Sequence, residues 1–372
     1  MFDNTIRDAQ STAVTGLNPE QFDFDAYQDY TAGKDAKIKA FVEADSGVLV
    51  YRRFRVAEVF GAECKDKELS LRLQLGALKA SMDYEADIPN FLEPWYGLGI
   101  GAAAFGPEYV WNPGQAPAIT APFEDLEGAC SFDLKEIKDT NIGREQLSYI
   151  EYFMDKTRGK LPMSFSDVQS PLNIISEVVP ATSLFLDMLE EPEDYLELAD
   201  RVADNMGRFL KLQQALIGDA LALPGHGFAS SRNFRCLGAS DDTSIMISNP
   251  MFDALEAGPL SKLCAPYGGP AYHSCGNWSK KIPSVLSVPG IVCADGAFSS
   301  QTDPAPNPCE DFSEQFAGTG VVLNARVVGG LETVEESVRK LWRPGMKLIV
   351  NTYCKTPEEQ REAYQLIHEI CR

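Results

Sequence analysis

Short apolar runs alternate with longer amphipathic stretches from about residue 86 to the end of the chain. Eight runs predict strands, at residues 87–92, 108–111, 159–166, 219–224, 266–275, 290–295, 320–326 and 347–353. Continuous apolar strands that alternate with helices are typical of a parallel sheet covered on both faces. Eight such units over roughly 290 residues predict an α/β protein of one architecture, the single (β/α)8 barrel, or TIM barrel.

The N-terminal region follows a different pattern. Residues 1–35 are polar and mixed, whereas residues 35–85 repeat apolar side chains at helical spacing, among them Leu71, Leu75 and Leu78. We therefore predict an N-terminal extension with helices packing on the barrel over residues 1–85, and the barrel itself over residues 86–372. Because no internal repeat or low-complexity linker separates the two parts, one folded unit is favoured over two.

The net charge and the cysteine content limit which classes of partner and which cellular compartment we expect. The chain has 54 acidic and 33 basic residues, a formal net charge of −21, which argues against nucleic acid or an anionic membrane as a partner. Nine cysteines show no disulfide spacing, so a reducing cytoplasm is the expected location. The polar start of the chain, residues 1–8, lacks the apolar core of a signal peptide. The apolar stretch at residues 95–106 is too short to span a bilayer.

The strongest chemical signal is the pair His273 and Cys275 in Tyr272-His273-Ser274-Cys275-Gly276. Alternate residues of a strand point to the same side, so an imidazole nitrogen and a thiolate are presented together, and Zn²⁺ accepts both donors. Cys354, at the end of the last predicted strand, is the best candidate for a third ligand. Three protein ligands with an open fourth position describe a catalytic zinc site. The alternative is that these are packed core residues, because a free cysteine is most often a small buried hydrophobe.

These residues also resemble a known family. The Tyr272-His273-Ser274-Cys275-Gly276-Asn277 segment, the distant Cys354 and the helix start Lys355-Thr356-Pro357 resemble the uroporphyrinogen decarboxylase-like superfamily, and within it the zinc-dependent corrinoid methyltransferases. The segment 241–252 is similar as well, and the resemblance extends over residues 85–372. The Arg-rich motif ending in Ala-Gly-Arg-Tyr that the decarboxylases carry is absent; the early arginine cluster here is Arg52-Arg53-Phe54-Arg55.

The resemblance implies that His273, Cys275 and Cys354 hold zinc at the barrel mouth. It also implies that a methyl group moves between a small-molecule methyl donor and the Co(I) corrinoid (cobalamin) of a separate corrinoid protein. The chain has no Asp-x-His-x-x-Gly cobalamin motif, which agrees with a cofactor carried by a partner. We expect a phenyl methyl ether as the donor, in a pocket lined by aromatic side chains. The candidates are Trp95, Tyr96, Phe105, Phe165, Phe228 and Phe234.

Four alternatives stay open. The substrate could be methanol, or a thiol methylated as coenzyme M is. A metal-free decarboxylase on the same fold would have no need of Cys354. A non-enzymatic corrinoid-binding or assembly partner would need no open metal position. The sequence also leaves open whether the chain is a monomer or a homodimer.

Further polar residues stand near predicted strand ends. Glu93 is a candidate fourth zinc ligand in the resting state, or an ordinary loop acid. His226, between two glycines, could polarise a substrate oxygen or protonate a leaving group, or be a satisfied loop histidine. Asp242 is a candidate catalytic residue and Asp167 a candidate substrate contact, although either could cap a helix. The remaining candidate substrate contacts are Tyr272, Asn324 and Arg326.

Overall fold

The computed structural model describes residues 9–372 and contains a parallel sheet with six extended strands. The strands are β1 (Gly47–Arg52), β2 (Leu237–Ser240), β3 (Pro270–His273), β4 (Cys293–Ala297), β5 (Val322–Arg326) and β6 (Lys347–Thr352). Their order in the sheet is β1-β6-β5-β4-β3-β2, and every neighbouring pair is parallel. The first strand is therefore hydrogen-bonded to the last, as in a barrel.

Shorter backbone contacts continue the sheet from β1 round to β2. The backbone N–H of Asp87 donates to the carbonyl of Val50 at 2.8 Å. Single parallel bridges then join Leu92 to Met163 and Met163 to Leu221, and the segment after Leu221 hydrogen-bonds to β2. Together with the helices on the outside, this ring is a β/α barrel of the TIM type, the architecture that the sequence predicts.

Helices follow most of the strands and cover the outside of the barrel. They are α1 (Phe24–Glu43), α2 (Lys67–Ser81), α3 (Leu126–Cys130), α4 (Asn141–Thr157), α5 (Pro171–Val178), α6 (Ala181–Glu190), α7 (Pro192–Ile217), α8 (Asn249–Met251), α9 (Ala257–Cys264), α10 (Ile282–Ser287), α11 (Cys309–Phe316), α12 (Leu331–Leu341) and α13 (Pro357–Ile370). A π-helical turn, Phe252–Glu256, joins α8 to α9. Local sequence sets several helix starts: the Asp23 side chain caps α1, and Thr356 caps α13 with Pro357 in its first turn.

The strand register places polar side chains together inside the C-terminal end of the barrel. His273 pairs with Asp295, Asp295 with Asn324, and Arg326 with Asn351. Paired residues of parallel neighbours point to the same face, so these five side chains face the barrel interior. Closer to the N-terminal end of the barrel, Leu49 and Ile349 are buried in an apolar layer. The C-terminal mouth is therefore the polar end, where active sites of this fold lie.

Several predicted strands differ from the observed ones. The sequence assigns residues 35–85 to helices, but Gly47–Arg52 forms β1, so the sheet takes a strand from before residue 86. The predicted strand at 108–111 is wrong, because Val110 makes one antiparallel bridge to Ala118 instead of joining the barrel. β2 was not predicted. The runs at 159–166 and 219–224 reach the sheet through single bridges. Whether a segment forms a strand depends on the segments with which it pairs, and a local apolar pattern does not identify those partners.

Two sequence expectations concern the ends and the membrane. The expectation of no signal peptide concerns residues 1–8, which lie outside the described part of the chain. Within residues 9–372, no helix combines the length and the apolar character needed to cross a bilayer.

Candidate active site

Asp242, His273 and Cys275 form a cluster at the barrel mouth in which one ligand atom from each residue lies within 4.8 Å of the others. His273 Nε2 is 3.6 Å from Cys275 Sγ and 3.8 Å from Asp242 Oδ1. In a tetrahedral zinc site, bonds of about 2.0 Å to nitrogen and 2.3 Å to sulfur place the two atoms about 3.5 Å apart. The carboxylate, imidazole and thiol donors, and their spacing, therefore fit Zn²⁺.

Neighbouring strands bring these residues together. β2 and β3 are paired with Ser240 opposite His273, so Asp242, two residues past the end of β2, lies beside His273. The backbone N–H of Cys275 donates to Asp242 Oδ1 at 2.6 Å. The chain then turns at Gly276, whose φ of +72° favours glycine. The loop that carries Cys275 is thus held in place by the Asp242 side chain.

A buried carboxylate orients the histidine from behind. His273 Nδ1 donates to Asp295 Oδ2 at 2.7 Å, and Arg326 Nε donates to the same oxygen at 2.8 Å. Asn324 Nδ2 donates to the other oxygen of Asp295. Because Nδ1 is occupied by Asp295, Nε2 is the nitrogen turned toward Cys275. A carboxylate behind a histidine is the arrangement that fixes the tautomer of metal-binding imidazoles.

The electrostatics of this cluster favour a bound cation. Burial alone would raise the pKa of Asp295, but the charge of Arg326 and the hydrogen bond from His273 outweigh it and hold that pKa below its usual range. Burial would lower the pKa of His273, yet its hydrogen bonds to Asp295 and Cys275 raise that pKa well above its usual value. The imidazole therefore lies among negative groups that attract either a proton or a metal ion.

A second polar cluster surrounds His226 at the same mouth. His226 Nδ1 lies 2.6 Å from Glu93 Oε2, and His226 Nε2 lies 3.4 Å from Asp167 Oδ2. Trp95 Nε1 donates to Asp167 Oδ2 at 2.9 Å, and Arg53 Nη2 is 3.6 Å from Glu93 Oε1. The imidazole is thus held between two carboxylates, each of which has a second partner.

The two carboxylates differ in their affinity for protons. Burial would raise the pKa of Glu93, but the charges of His226 and Arg53 lower it below its usual value. Burial dominates at Asp167 and raises its pKa, even though His226 acts in the opposite direction. The imidazole of His226 thus lies between one carboxyl whose pKa is lowered and one whose pKa is raised.

Cys354 does not join the metal-ligand cluster. It follows β6 at the same end of the barrel as His273, as predicted, but it is buried, and its carbonyl accepts a hydrogen bond from Arg52 Nε at 2.8 Å. Burial raises the pKa of its thiol to about 12. Glu93 is likewise bound to His226 instead of joining the cluster. Of the four predicted ligands, the structure brings His273 and Cys275 together, and Asp242 takes a third position.

The predicted substrate contacts separate into two groups. Asn324 and Arg326 face the interior beside Asp295, and Asp167 faces His226. Tyr272 points to the opposite side of β3, where it is fully buried and its hydroxyl lies 2.7 Å from Ser244 Oγ. A substrate contact at Tyr272 therefore has no geometric support.

Two residues outside the predicted set belong to the site. Asp295 ends the strand predicted at 290–295, so its position at a strand end was a usable signal. Arg53 follows β1, and the helical spacing of apolar residues in this region hides its position at a strand end. Both are nine-tenths or more buried.

Comparison with solved structures places this architecture beside a methyltransferase from Methanosarcina mazei. The TM-score is 0.61 at 16% sequence identity, over 90% of this chain and 97% of the other. At this identity the likeness concerns the fold. No family profile matches the chain. No curated protein sequence matches it either.

Proposed function

We propose that this chain is a zinc-dependent methyltransferase that moves a methyl group from a phenyl methyl ether to the Co(I) corrinoid of a partner protein. The observation that carries the proposal is the Asp242, His273 and Cys275 cluster at the barrel mouth, with Asp295 fixing the histidine. Three ligands of mixed nitrogen, sulfur and oxygen type, two of them on exposed loop positions, leave a coordination position for a substrate.

Asp242, His273 and Cys275 would hold the zinc ion in this proposal. When bound, zinc supplies a Lewis acid that eases the departure of an alkoxide or phenolate from the methyl group. Asp295 keeps His273 in one tautomer, and Arg326 and Asn324 keep Asp295 ionised and in place. Cys354 has no ligand role in this arrangement.

His226 would donate a proton to the leaving oxygen. Its imidazole lies between Glu93 and Asp167, so it is positioned to donate a proton to a phenolate and to take up another by way of Asp167, whose pKa is raised by burial. Protonation prevents the released phenolate from returning as a nucleophile. The two clusters thus have separate tasks, metal binding and proton transfer.

Aromatic rings beside both histidines support an aromatic donor. The ring centroid of Phe60 lies 5.2 Å from that of His226, and Trp95 lies 6.5 Å from it. Phe228 lies 6.2 Å from His273. Flat rings of this kind suit a phenyl group better than methanol. The methyltransferase from Methanosarcina mazei adds support at the level of the fold.

The test is a methyl-transfer assay with the zinc-loaded chain, a corrinoid protein reduced to Co(I), and two donors, a phenyl methyl ether and methanol. We expect the spectrum of methyl-cobalt with the ether and negligible turnover without the corrinoid protein. His273→Ala should abolish the transfer, while His368→Ala, on α13, serves as a matched histidine control. Transfer from methanol alone would overturn the substrate. Absence of transfer from any donor, with zinc bound, would overturn the proposed activity.

A further inference from the structure

Two buried arginines face the barrel mouth with most of their N–H groups unused. Arg326 donates through Nε to Asp295, and within residues 9–372 its two Nη groups meet no hydrogen-bond acceptor. Arg53 Nη1 is 3.5 Å from the carbonyl of Gly227, and Nη2 is 3.6 Å from Glu93, both at the outer limit of a hydrogen bond. Buried guanidinium groups without close acceptors are costly. Their arrangement indicates an anionic acceptor supplied by a ligand.

Two further buried polar residues lie beside these arginines, and one of them has no hydrogen-bond partner. Neither Nδ2 nor Oδ1 of Asn351 has a hydrogen-bond partner, although the residue is fully buried. The register pairs Asn351 with Arg326 on one side and with Tyr51 on the other, so all three face the interior. The hydroxyl of Tyr353 is also buried, and it lies beside the Arg53 guanidinium. A structure rarely leaves such groups unsatisfied unless something binds there.

We propose that Arg326, Arg53, Asn351 and Tyr353 form a subsite for a carboxylate group of the substrate. A guanidinium fork matches the two oxygens of a carboxylate, and the amide and hydroxyl provide additional donors. In a chain with a net charge of −21, binding an anion requires such a dedicated cationic site. The inference that this carboxylate belongs to the methyl donor rests on the proposed function.

The position of the subsite limits the size of the substrate. Arg326 and His273 donate to the same oxygen of Asp295, at 2.8 Å and 2.7 Å. The carboxylate therefore binds next to the metal ligands, and a molecule of one ring can reach both. The expected substrate is an aromatic methyl ether that carries a ring carboxylate.

A matched pair of compounds tests the subsite by binding alone. 3-Methoxybenzoate and 3-methoxybenzamide have nearly the same shape but differ in charge. Calorimetric titration of the full chain, both zinc-loaded and chelator-treated, should give at least about tenfold tighter binding of the benzoate in both forms. Because the metal-free protein is included, this preference is separated from any binding of the carboxylate to zinc.

Variants locate the preference within the subsite. Arg326→Met should weaken benzoate binding about 10- to 100-fold and leave the benzamide unchanged. Asn351→Asp, which places a negative charge beside the arginines, should weaken the benzoate selectively in the same way. Arg339→Met is the matched control, because Arg339 lies on the exposed face of α12 and pairs with Glu335. Circular dichroism verifies that each variant is folded.

Three results would overturn the carboxylate subsite. These are equal affinity for the two compounds, no measurable binding of the benzoate, and a preference that appears only in the zinc-loaded protein, which would place the carboxylate on the metal. If the preference is intact but no methyl transfer occurs, the proposed function fails and the subsite stands.

Discussion

Replacing Glu177 by glutamine should stabilise the protein, and the gain should grow with pH. Glu177 lies on α5, and its Oε2 atom is buried without a hydrogen-bond partner. Burial, followed by the negative charge of Asp167, raises the pKa of the Glu177 carboxyl from its ordinary 4.5 to about 8. The folded state therefore prefers the neutral acid, and an amide of the same shape removes the ionisable group.

The magnitude and the pH range follow from the two pKa values. Below pH 4.5 both folded and unfolded states are protonated, so Glu177 imposes no pH-dependent penalty. Between pH 4.5 and about 8 the unfolded state alone releases the proton, and the stability of the wild type falls as pH rises. Each unit of pKa difference between the folded and unfolded states corresponds to about 1.4 kcal/mol. Above pH 8, Glu177 therefore lowers the free energy of unfolding by at most about 5 kcal/mol. Because the surrounding structure relaxes and water enters when Glu177 ionises, the loss of stability is smaller than this limit, and we expect at least about 2 kcal/mol.

Urea titrations at pH 4, 6 and 8 measure the effect. The free energy of unfolding of Glu177→Gln should exceed that of the wild type by an amount that increases from pH 4 to pH 8. Glu151→Gln, at an exposed position on α4, is the control and should change stability by less than about 0.5 kcal/mol at every pH. A Glu177→Gln variant that is no more stable than the wild type at pH 8, or whose advantage does not depend on pH, would refute the reasoning.

Three further predictions concern the site. Cys275→Ala should lose bound zinc while Cys354→Ala retains it, because only the first thiol lies in the ligand cluster; elemental analysis after dialysis measures both. Asp295→Asn should weaken zinc binding about 10- to 100-fold, because it removes the carboxylate that orients His273; competition with a chelator measures it. Glu93→Gln should keep zinc but slow methyl transfer in the corrinoid assay, because the carboxylate that holds the imidazole of His226 is lost.

Each of these predictions has a result that would contradict it. Zinc retained in full by Cys275→Ala would remove Cys275 from the ligands, and zinc lost from Cys354→Ala would restore the ligand set predicted from the sequence. Unchanged chelator competition in Asp295→Asn would mean that Asp295 does not orient the histidine for metal binding. Loss of zinc from Glu93→Gln would make Glu93 a metal ligand, as the sequence analysis proposed.

Local pattern was sufficient for the barrel class and for two of the three residues in the metal-ligand cluster. Apolar runs of strand length predicted β3 to β6, because a strand buried on both faces must be apolar along its whole length. The spacing of His273 and Cys275 placed two donors on one side of the chain, since side chains alternate with a period of two. These features depend only on residues that are close in sequence.

The rest of the site was decided by contacts between distant segments. Asp242 reaches His273 because β2 pairs with β3, and Asp295 reaches it because β4 pairs with β3 on the other side. Cys354 lies at the predicted end of the barrel but on a strand three places away, with its backbone bound to Arg52. Strand order and register decide which strand ends lie together at the barrel mouth. A local sequence pattern contains neither.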